Sequence, residues 1–287
     1  MYLSKKISLS IFSLFFMMIF CYGKNLEKKS QLEFQMEEIY IKKDNKNIYG
    51  RLFKTEEKKF QTQNGNPLVI LSHGFGCSYK TTEGYAISFA KNGISAFVFD
   101  FVGGGKDSKS GNDTSKMSVL TEAKDLEDVL RFFQNYDGFD KNRIFLFGES
   151  QGGFVSSYVA ANHPSEIAGL VALYPAYVLQ DDSKKRNPNP QNSSDFSYVM
   201  GLKIGKIYDI DAQSFDIYDV IKNYSKKVLI IHGTADSIVP ISYSERAINS
   251  FPNANLIKIN GANHGFYGND FITASTKAID FIKNQLQ

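Results

Sequence analysis

The chain has few of the residues that form disulfides or bind structural metal ions. Only two of its 287 residues are cysteine and only four are histidine. With 43% hydrophobic and 22% charged residues, its composition excludes collagen, a coiled coil and a wholly disordered chain. A chain of this length can bury roughly three quarters of the surface that its unfolded form would expose, so it needs no disulfides. One large α/β domain or two small ones are expected.

An excess of charge of one sign is also missing. The chain has 33 basic and 30 acidic residues, and two of the basic ones, Lys5 and Lys6, lie in a segment that we expect to be removed. Nucleic-acid-binding proteins usually carry a concentrated basic face. We therefore expect no nucleic acid and no anionic membrane as a partner. The oligomeric state stays open.

The apolar run at the start of the chain is too short to cross a bilayer. Residues 7–20 are uncharged and apolar, and Lys5 and Lys6 precede them. Cys21 and Gly23 put small residues where a signal peptidase reads. Residues 1–23 are predicted to be a signal peptide cleaved before Lys24, which implies a secreted or periplasmic protein.

A lipoprotein is the alternative, with Cys21 carrying the lipid and giving a membrane attachment. In both cases Cys77 remains as a single thiol, so no disulfide is expected. Residues 24–35 are charged and featureless, which predicts a flexible tail.

Strand and helix patterns alternate through residues 36–287. Residues 38–42 and 48–53 predict a hairpin around a turn at 43–47. Continuous apolar runs, typical of strands buried on both faces, follow at 68–71, 95–99, 143–147, 167–173, 228–231 and 255–259. Helical stretches lie at 82–92, 119–135, 153–162, 242–250 and 270–287. This alternation predicts a mostly parallel twisted sheet with helices on both faces.

The interval from about 177 to 225 interrupts the alternation between the sixth and seventh strands. It shows no clear strand, and it contains a Pro/Asn stretch at 187–192. Aromatic residues follow the Pro/Asn stretch: Phe196, Tyr198, Tyr208, Phe215 and Tyr218. Long loops in compact domains are usually functional. We predict a lid insertion, with a surface excursion that has no role in binding as the alternative.

The chemistry is carried by the sequence Gly-Glu-Ser-Gln-Gly-Gly at 148–153. It follows a predicted buried strand and opens a predicted helix, which is the setting of a nucleophile elbow. The glycines two residues either side of Ser150 would let strand and helix approach closely. Ser150 is therefore the candidate nucleophile.

A serine nucleophile needs a base and an acid. His264 lies in the loop between the last strand and the last helix, whereas His73, His163 and His232 fit turn-supporting positions. Asp236 follows the strand before that loop. The order Ser150, Asp236, His264 is that of the α/β-hydrolase fold.

Acyl transfer also needs donors for an oxyanion. The N–H of Gln151 is one candidate, and Phe75, after the first parallel strand, supplies the other. Asp100 before Gly103-Gly104-Gly105 lacks P-loop spacing and reads as a structural loop. Neither a ligand cluster nor a dinucleotide fingerprint is present, so no metal and no cofactor are expected.

Several motifs together resemble the cinnamoyl (feruloyl) esterases of gut bacteria. They are His73-Gly74-Phe75, Asp100-Phe101 with Gly103 and Gly105, Met117 with 119–122, 148–153, 232–236 with Val239-Pro240, and 201–205, 212–213 and 217–221 in the insertion. Two features depart from the family: Glu149 replaces the usual histidine of the elbow, and the Pro/Asn stretch is this chain's own.

The resemblance implies a secreted serine esterase that acts on a small ester or an acylated oligosaccharide and releases hydroxycinnamic acids. In that family an Asp and a Tyr of the insertion bind the phenolic hydroxyl, and by position they match Asp182, or its neighbour Asp181, and Tyr208. A general acyl esterase, a dipeptidyl-peptidase-like hydrolase and a non-catalytic binding module on the same fold remain as alternatives.

Overall fold

The computed structural model describes residues 34–287. The predicted signal peptide, 1–23, and all but the last two residues of the predicted tail, 24–35, lie outside the described residues. Strand β1 begins at Phe34, two residues before the domain boundary predicted at 36. Within the described residues, no helix is both long and apolar enough to span a bilayer.

Residues 34–287 contain ten strands and eight α-helices. The strands are β1 (Phe34–Lys43), β2 (Lys46–Thr55), β3 (Asn66–Ser72), β4 (Ser95–Phe99), β5 (Phe139–Glu149), β6 (Gly169–Leu173), β7 (Phe196–Val199), β8 (Leu202–Gly205), β9 (Val228–Gly233) and β10 (Ala254–Ile259). The helices are α1 (Lys80–Ala90), α2 (Val119–Gln134), α3 (Gln151–Asn162), α4 (Leu179–Arg186), α5 (Ile207–Ala212), α6 (Ile217–Val220), α7 (Ser242–Ser250) and α8 (Gly268–Leu286). Every predicted strand and helix is present, with boundaries shifted by a few residues.

Eight of the strands form one sheet in the order β1-β2-β4-β3-β5-β6-β9-β10. From β4 to β10 all neighbouring strands are parallel, and only β1 and β2 run antiparallel to their neighbours. A connection between parallel neighbours must cross a face of the sheet, and helices fill these crossings. The mostly parallel α/β architecture is confirmed.

The two faces of the sheet pack into two separate hydrophobic cores. Along β3, Leu68 and Ile70 belong to the core that contains residues of α2 and α3, whereas Val69 and Leu71 belong to the core that contains residues of α1 and α8. All four side chains are fully buried. This two-residue period, with apolar residues on both faces, explains why the strand sequences read as continuous apolar runs.

The first hairpin has a shorter turn than the sequence predicted. Pairing between β1 and β2 continues as far as Lys43 opposite Lys46, so only Asp44 and Asn45 form the turn. Asp44 adopts a φ of 52°. Asp and Asn accept this left-handed conformation more readily than most residues, because their short side chains can hydrogen-bond to the local backbone.

The segment between β6 and β9 contains a second hairpin that the sequence analysis missed. Strands β7 and β8 pair antiparallel and form a two-stranded sheet of their own. Met200 and Gly201 make the turn with φ of 48° and 77°, the combination that two-residue type I′ hairpins require. Each strand has only four residues, and the turn contains neither Asn nor Asp, so the sequence did not indicate a hairpin.

The insertion, residues 174–227, contacts the loop that precedes α2. The Thr114 hydroxyl donates to the Lys203 carbonyl at 2.6 Å, and the Ser118 hydroxyl donates to Asp211. A Cβ added at Gly205 would lie 2.1 Å from the Ser115 carbonyl oxygen. The backbone of β8 therefore packs directly on the backbone before α2.

Two neighbouring glycines of this hairpin test that contact. We expect Gly205→Ala to lower the free energy of unfolding by about 2–4 kcal/mol, because a backbone clash must be relieved by moving β8. Gly201→Ala, the matched control, has open space around its Cβ and should cost only about 1 kcal/mol for its positive φ. Urea unfolding monitored by circular dichroism measures both. Equal losses would show that β8 does not need this close approach.

Candidate active site

Ser150 occupies a sharp turn between β5, which ends at Glu149, and α3, which begins at Gln151. Its φ of 52° and ψ of −119° are strained for a residue with a side chain and cost about 1–3 kcal/mol. A Cβ at Gly148 would lie 2.2 Å from the Gly152 carbonyl oxygen, and one at Gly152 would lie 2.4 Å from the His73 carbonyl oxygen. No other residue type fits at either position while the turn keeps this shape.

Ser150, His264 and Asp236 form one chain of hydrogen bonds. The distance from Ser150 Oγ to His264 Nε2 is 3.0 Å, and that from His264 Nδ1 to Asp236 Oδ2 is 2.8 Å. An ionised carboxylate can only accept, so Nδ1 carries the hydrogen and Nε2 is left to accept from the serine hydroxyl. The three residues come from the carboxyl ends of β5, β9 and β10, where α/β sheets place their sites.

His232 also contacts Asp236, which the sequence analysis did not foresee. Its Nε2 lies 3.2 Å from Asp236 Oδ2 and 2.9 Å from the Val239 carbonyl, while its Nδ1 lies 2.7 Å from Ser244 Oγ. Both Nε2 neighbours are acceptors, so Nε2 donates. In the sequence, only the four-residue spacing between His232 and Asp236 could have indicated this contact.

The environment of Asp236 favours its charged form. Burial alone would raise the pKa of this carboxyl, but hydrogen bonds from His232, His264 and the Val239 N–H outweigh it and hold the pKa well below its usual range. The N–H groups of Ile238 and Val239 both donate to Asp236 Oδ1, at 2.9 and 2.8 Å. Asp236 is therefore a fixed negative charge behind His264.

The residues predicted to stabilise an oxyanion lie on either side of Ser150. Gln151 is the first residue of α3, and the first N–H groups of a helix have no partner within it. A Cβ at Gly74 would lie 3.2 Å from Ser150 Cβ, so the loop that carries Phe75 passes close to the serine. Phe75 and Gln151 both line a pocket that reaches Ser150.

Two pockets meet at Ser150. The wider one, about 520 Å³, extends along Glu149, Tyr174, His264 and Tyr267. The narrower one, about 90 Å³, extends beneath the insertion. Four residues line both pockets: Phe75, Ser150, Met200 and Ile238. A substrate carbonyl at Ser150 would therefore have one substituent in each pocket.

The predicted substrate-binding residues, Asp182 and Tyr208, both line the narrow pocket. Asp182 is exposed, whereas its neighbour Asp181 is half-buried and accepts a 2.8 Å hydrogen bond from the Tyr243 hydroxyl. Tyr208 is buried, and its hydroxyl donates to Gln151 Oε1 at 2.6 Å. Of the two aspartates, Asp182 is the one that faces the pocket.

Gln151 is held from its other side by a buried carboxyl. Its Nε2 donates to Glu122 Oε2 at 2.8 Å, and Glu122 Oε1 has no hydrogen-bond partner among residues 34–287. Burial raises the pKa of Glu122 well above its ordinary value, although the Gln151 amide opposes this. The side chain of Gln151 is thus fixed between α2 and the insertion.

The other predicted loop residues have structural contacts. His73 is buried between the Gly74 carbonyl at 2.8 Å and the Phe101 N–H at 3.2 Å. Asp100 accepts from the N–H groups of Tyr79 and Lys109, both at 2.7 Å. In the described part of the chain, no group of three or more His, Cys, Asp or Glu side chains could hold a metal ion.

The low pKa of Asp236 predicts a pH-dependent contribution to stability. Because the folded pKa lies below the unfolded value of about 3.9, the contribution is fully present above that value and is lost as the pH falls through the folded pKa. Asp236→Asn should therefore lower the free energy of unfolding by about 1–3 kcal/mol near pH 7 and by less near about pH 3.

Urea unfolding of the wild type and the variant at both pH values measures this difference. Asp219→Asn, which removes an exposed carboxylate paired with Lys222, is the control and should leave the unfolding midpoint nearly unchanged. A difference between wild type and Asp236→Asn that stays constant with pH would contradict the prediction.

Known proteins resemble this chain in sequence and in fold. The quorum-quenching protein AidA of Acinetobacter baumannii is 25% identical over 128 residues, which are 44% of this chain and 41% of AidA. The chain thus spans about two fifths of that relative. The structure of Est1E from Butyrivibrio proteoclasticus with bound ferulic acid superposes with a TM-score of 0.75 at 23% identity, over 86% of this chain and 99% of Est1E.

A third similar protein is the α/β-hydrolase GrgF of Penicillium sp. sh18. It gives a TM-score of 0.69 at 16% identity, over 88% of this chain and 99% of GrgF. At such low identity, the solved structures show that the fold is that of the α/β-hydrolases. The serine aminopeptidase S33 family matches residues 63–209, which include the first parallel strand, the elbow and part of the insertion. The chain belongs to the serine aminopeptidase S33 family and has the α/β-hydrolase fold.

Proposed function

We propose that the protein is a serine carboxylic-ester hydrolase that releases hydroxycinnamic acids, of the ferulic or p-coumaric type, from esterified plant-wall sugars. The observation that carries the proposal is the hydrogen-bonded chain Ser150–His264–Asp236 at the junction of two pockets. Est1E, whose structure holds ferulic acid, supports the choice of acyl group.

In the first half of the reaction, Ser150 Oγ attacks the ester carbonyl while His264 Nε2 takes the hydroxyl proton. The imidazolium that forms is stabilised by the carboxylate of Asp236 at Nδ1. The N–H groups of Gln151 and Phe75 hold the negative oxygen of the tetrahedral intermediate. His264 then gives its proton to the leaving alcohol, and an acyl-serine remains.

In the second half, water replaces the alcohol. His264 takes a proton from the water as it attacks the acyl-serine carbonyl, and the same two N–H groups hold the oxyanion again. The proton then returns to Ser150 Oγ as the acid leaves. The narrow pocket beneath the insertion holds the acyl group, and the wide pocket holds the alcohol.

The three residues of the chain should act as one unit. Ser150→Ala and His264→Ala are each expected to lower turnover of methyl ferulate by about 10⁵- to 10⁶-fold, and the double variant should be hardly worse, because neither residue works without the other. Steady-state rates of the protein lacking residues 1–23 measure this. Additive losses, or a Ser150→Ala protein with more than about a tenth of the activity, would remove the assignment.

Two alternatives are separated by simple assays. A peptidase, which the family description favours, would hydrolyse amide substrates such as aminoacyl p-nitroanilides at rates comparable to p-nitrophenyl esters. A non-catalytic binding module would leave Ser150 unlabelled by a fluorophosphonate probe, because that reaction needs an activated serine. We expect ester turnover, weak amide turnover and labelling that disappears in Ser150→Ala.

The acyl preference rests on the narrow pocket. Phe75 and Tyr208 face each other there edge to face, with ring centroids 5.6 Å apart, and provide aromatic cover for an aryl group. Asp182 lines the same pocket and offers a carboxylate to a phenolic hydroxyl. Tyr208 already donates its hydrogen to Gln151, so replacing Tyr208 would also disturb the residue beside Ser150. Asp182 therefore gives the cleaner test.

We expect Asp182→Asn to lower kcat/KM for methyl ferulate, because the phenolic hydroxyl loses a charged acceptor. The loss should correspond to about 1–3 kcal/mol of transition-state stabilisation. The same variant should leave p-nitrophenyl acetate nearly unchanged, since acetate has no group that reaches Asp182. Asp181→Asn is the matched control and should affect neither ester.

The three outcomes have different meanings. An equal loss on both esters would indicate a disturbed fold. No loss on either would remove the main support for a hydroxycinnamate substrate and leave a general acyl esterase. Loss in Asp181→Asn alone would assign the phenolic hydroxyl to the neighbouring aspartate instead.

A further inference from the structure

Another buried carboxyl group lies directly beside Ser150 in the chain. Glu149 is the residue before Ser150 and is 6% exposed. The Tyr174 hydroxyl donates to Glu149 Oε2 at 3.1 Å, and Tyr174 is itself 4% exposed. The two side chains therefore form a hydrogen-bonded pair in the wall of the wide pocket. None of the steps of the proposed reaction uses either of them.

Tyr174 is also in contact with His264. The two rings meet edge to face, with centroids 4.7 Å apart and planes at 62°, and Phe266 packs on Tyr174 from another direction at 4.8 Å. Aromatic rings prefer such edge-to-face contacts to stacked ones. The imidazole of His264 thus contacts the ring of Tyr174 in addition to Asp236 at Nδ1 and Ser150 at Nε2.

The backbone of Tyr174 adopts a strained conformation. Its φ is 35°, a left-handed value that a bulky residue rarely adopts. The Tyr174 N–H donates to the Ile231 carbonyl at 2.8 Å, which holds the strained residue against the end of β9. Strained residues outside turns gather at functional sites, where the surrounding structure over-determines them.

The charge of Glu149 reaches His264 as well. The pKa of Glu149 is raised above its ordinary value, because burial outweighs the hydrogen bonds from the Thr81 and Tyr174 hydroxyls, the positive charge that His264 can carry and the Gly74 N–H. The other titratable groups near Glu149 are the Cys77 thiol and the Tyr85 hydroxyl, and burial raises the pKa of both, with Glu149 adding to the effect. Lys80 lines the same pocket.

We propose that Glu149 and Tyr174 are positioning residues for His264. Tyr174, anchored by Glu149, holds the imidazole in line with Ser150, and the ionised carboxylate of Glu149 stabilises the imidazolium that forms when His264 takes the serine proton. The proposal rests on the proposed function, because it assumes that His264 acts as the base. It gives a role to Glu149, the elbow residue that departs from the pattern of the cinnamoyl esterases.

Glu149→Gln separates charge from geometry, because the amide oxygen of glutamine can still accept from Tyr174. We expect kcat for p-nitrophenyl acetate to fall by about 10-fold with KM little changed, since only the charged transition state loses stabilisation. We also expect the acid limb of the kcat/KM profile to move to lower pH, by about half a unit, because an imidazolium without this negative neighbour forms less readily.

Tyr174→Phe keeps the ring on His264 and removes the anchor. It should lower kcat by about 3- to 10-fold and move the acid limb by less than Glu149→Gln does, because the carboxyl group of Glu149 remains. Tyr85→Phe is the matched control. It removes another buried tyrosine hydroxyl close to Glu149, but that hydroxyl has no hydrogen-bond partner among residues 34–287. Its acid limb should match that of the wild type.

The rate of Ser150 labelling by a fluorophosphonate gives the same comparison without any ester, because labelling also depends on His264. If the wild type is labelled but turns over no ester, the proposed function fails and the positioning role is still tested. If Glu149→Gln and Tyr174→Phe react like the wild type, the positioning role fails. A loss in Glu149→Gln with an unmoved acid limb would also overturn it, since the loss would then be structural.

Discussion

The close approach of β5 and α3 at the elbow is the constraint on which the rest of the site depends. Gly148 and Gly152 lie so near neighbouring backbone that neither position has room for a side chain, and Ser150 must adopt a positive φ between them. The turn is held by its neighbours in the sheet. The Ser150 N–H donates to the Leu173 carbonyl at 2.9 Å, and the Ser150 carbonyl accepts from the Ala176 N–H at 2.9 Å. The serine is thereby tied to the strand from which the insertion departs.

Three buried carboxyl groups surround this turn, and their environments differ. Asp236 accepts hydrogen bonds from two histidines and two backbone N–H groups, which keep it ionised. Glu122 accepts one hydrogen bond from Gln151, and burial dominates its pKa. Glu149 lies between these extremes, with burial opposed by several donors. Desolvation of a carboxyl is offset by hydrogen-bond donors and by nearby positive charges. Carboxyl groups around one turn therefore differ in how strongly their surroundings favour the charged form.

The sequence predicted the parallel sheet and its helices well because buried strands need continuous apolar runs, whatever their neighbours are. It also predicted that Ser150, His264 and Asp236 would meet, since all three follow strands at the same edge of the sheet. The β7–β8 hairpin was missed because each strand has only four residues and its turn, Met200-Gly201, contains neither Asn nor Asp. The contacts of Tyr174 with His264, and of Tyr208 with Gln151, join residues far apart in the chain. Their geometry depends on the packed fold and not on any local pattern.

The hydrogen bond from Tyr208 to the side chain of Gln151 joins the insertion to the residue that follows Ser150. Phe75, on the opposite side of Ser150, packs on the same tyrosine ring. The insertion, which lines the narrow pocket, is therefore in direct contact with the residues proposed to hold a reaction intermediate. Transplanting the insertion from another hydrolase of this fold would exchange more than a binding surface. Unless the graft also supplied a hydroxyl in the same place, it would leave the buried amide oxygen of Gln151 without its donor.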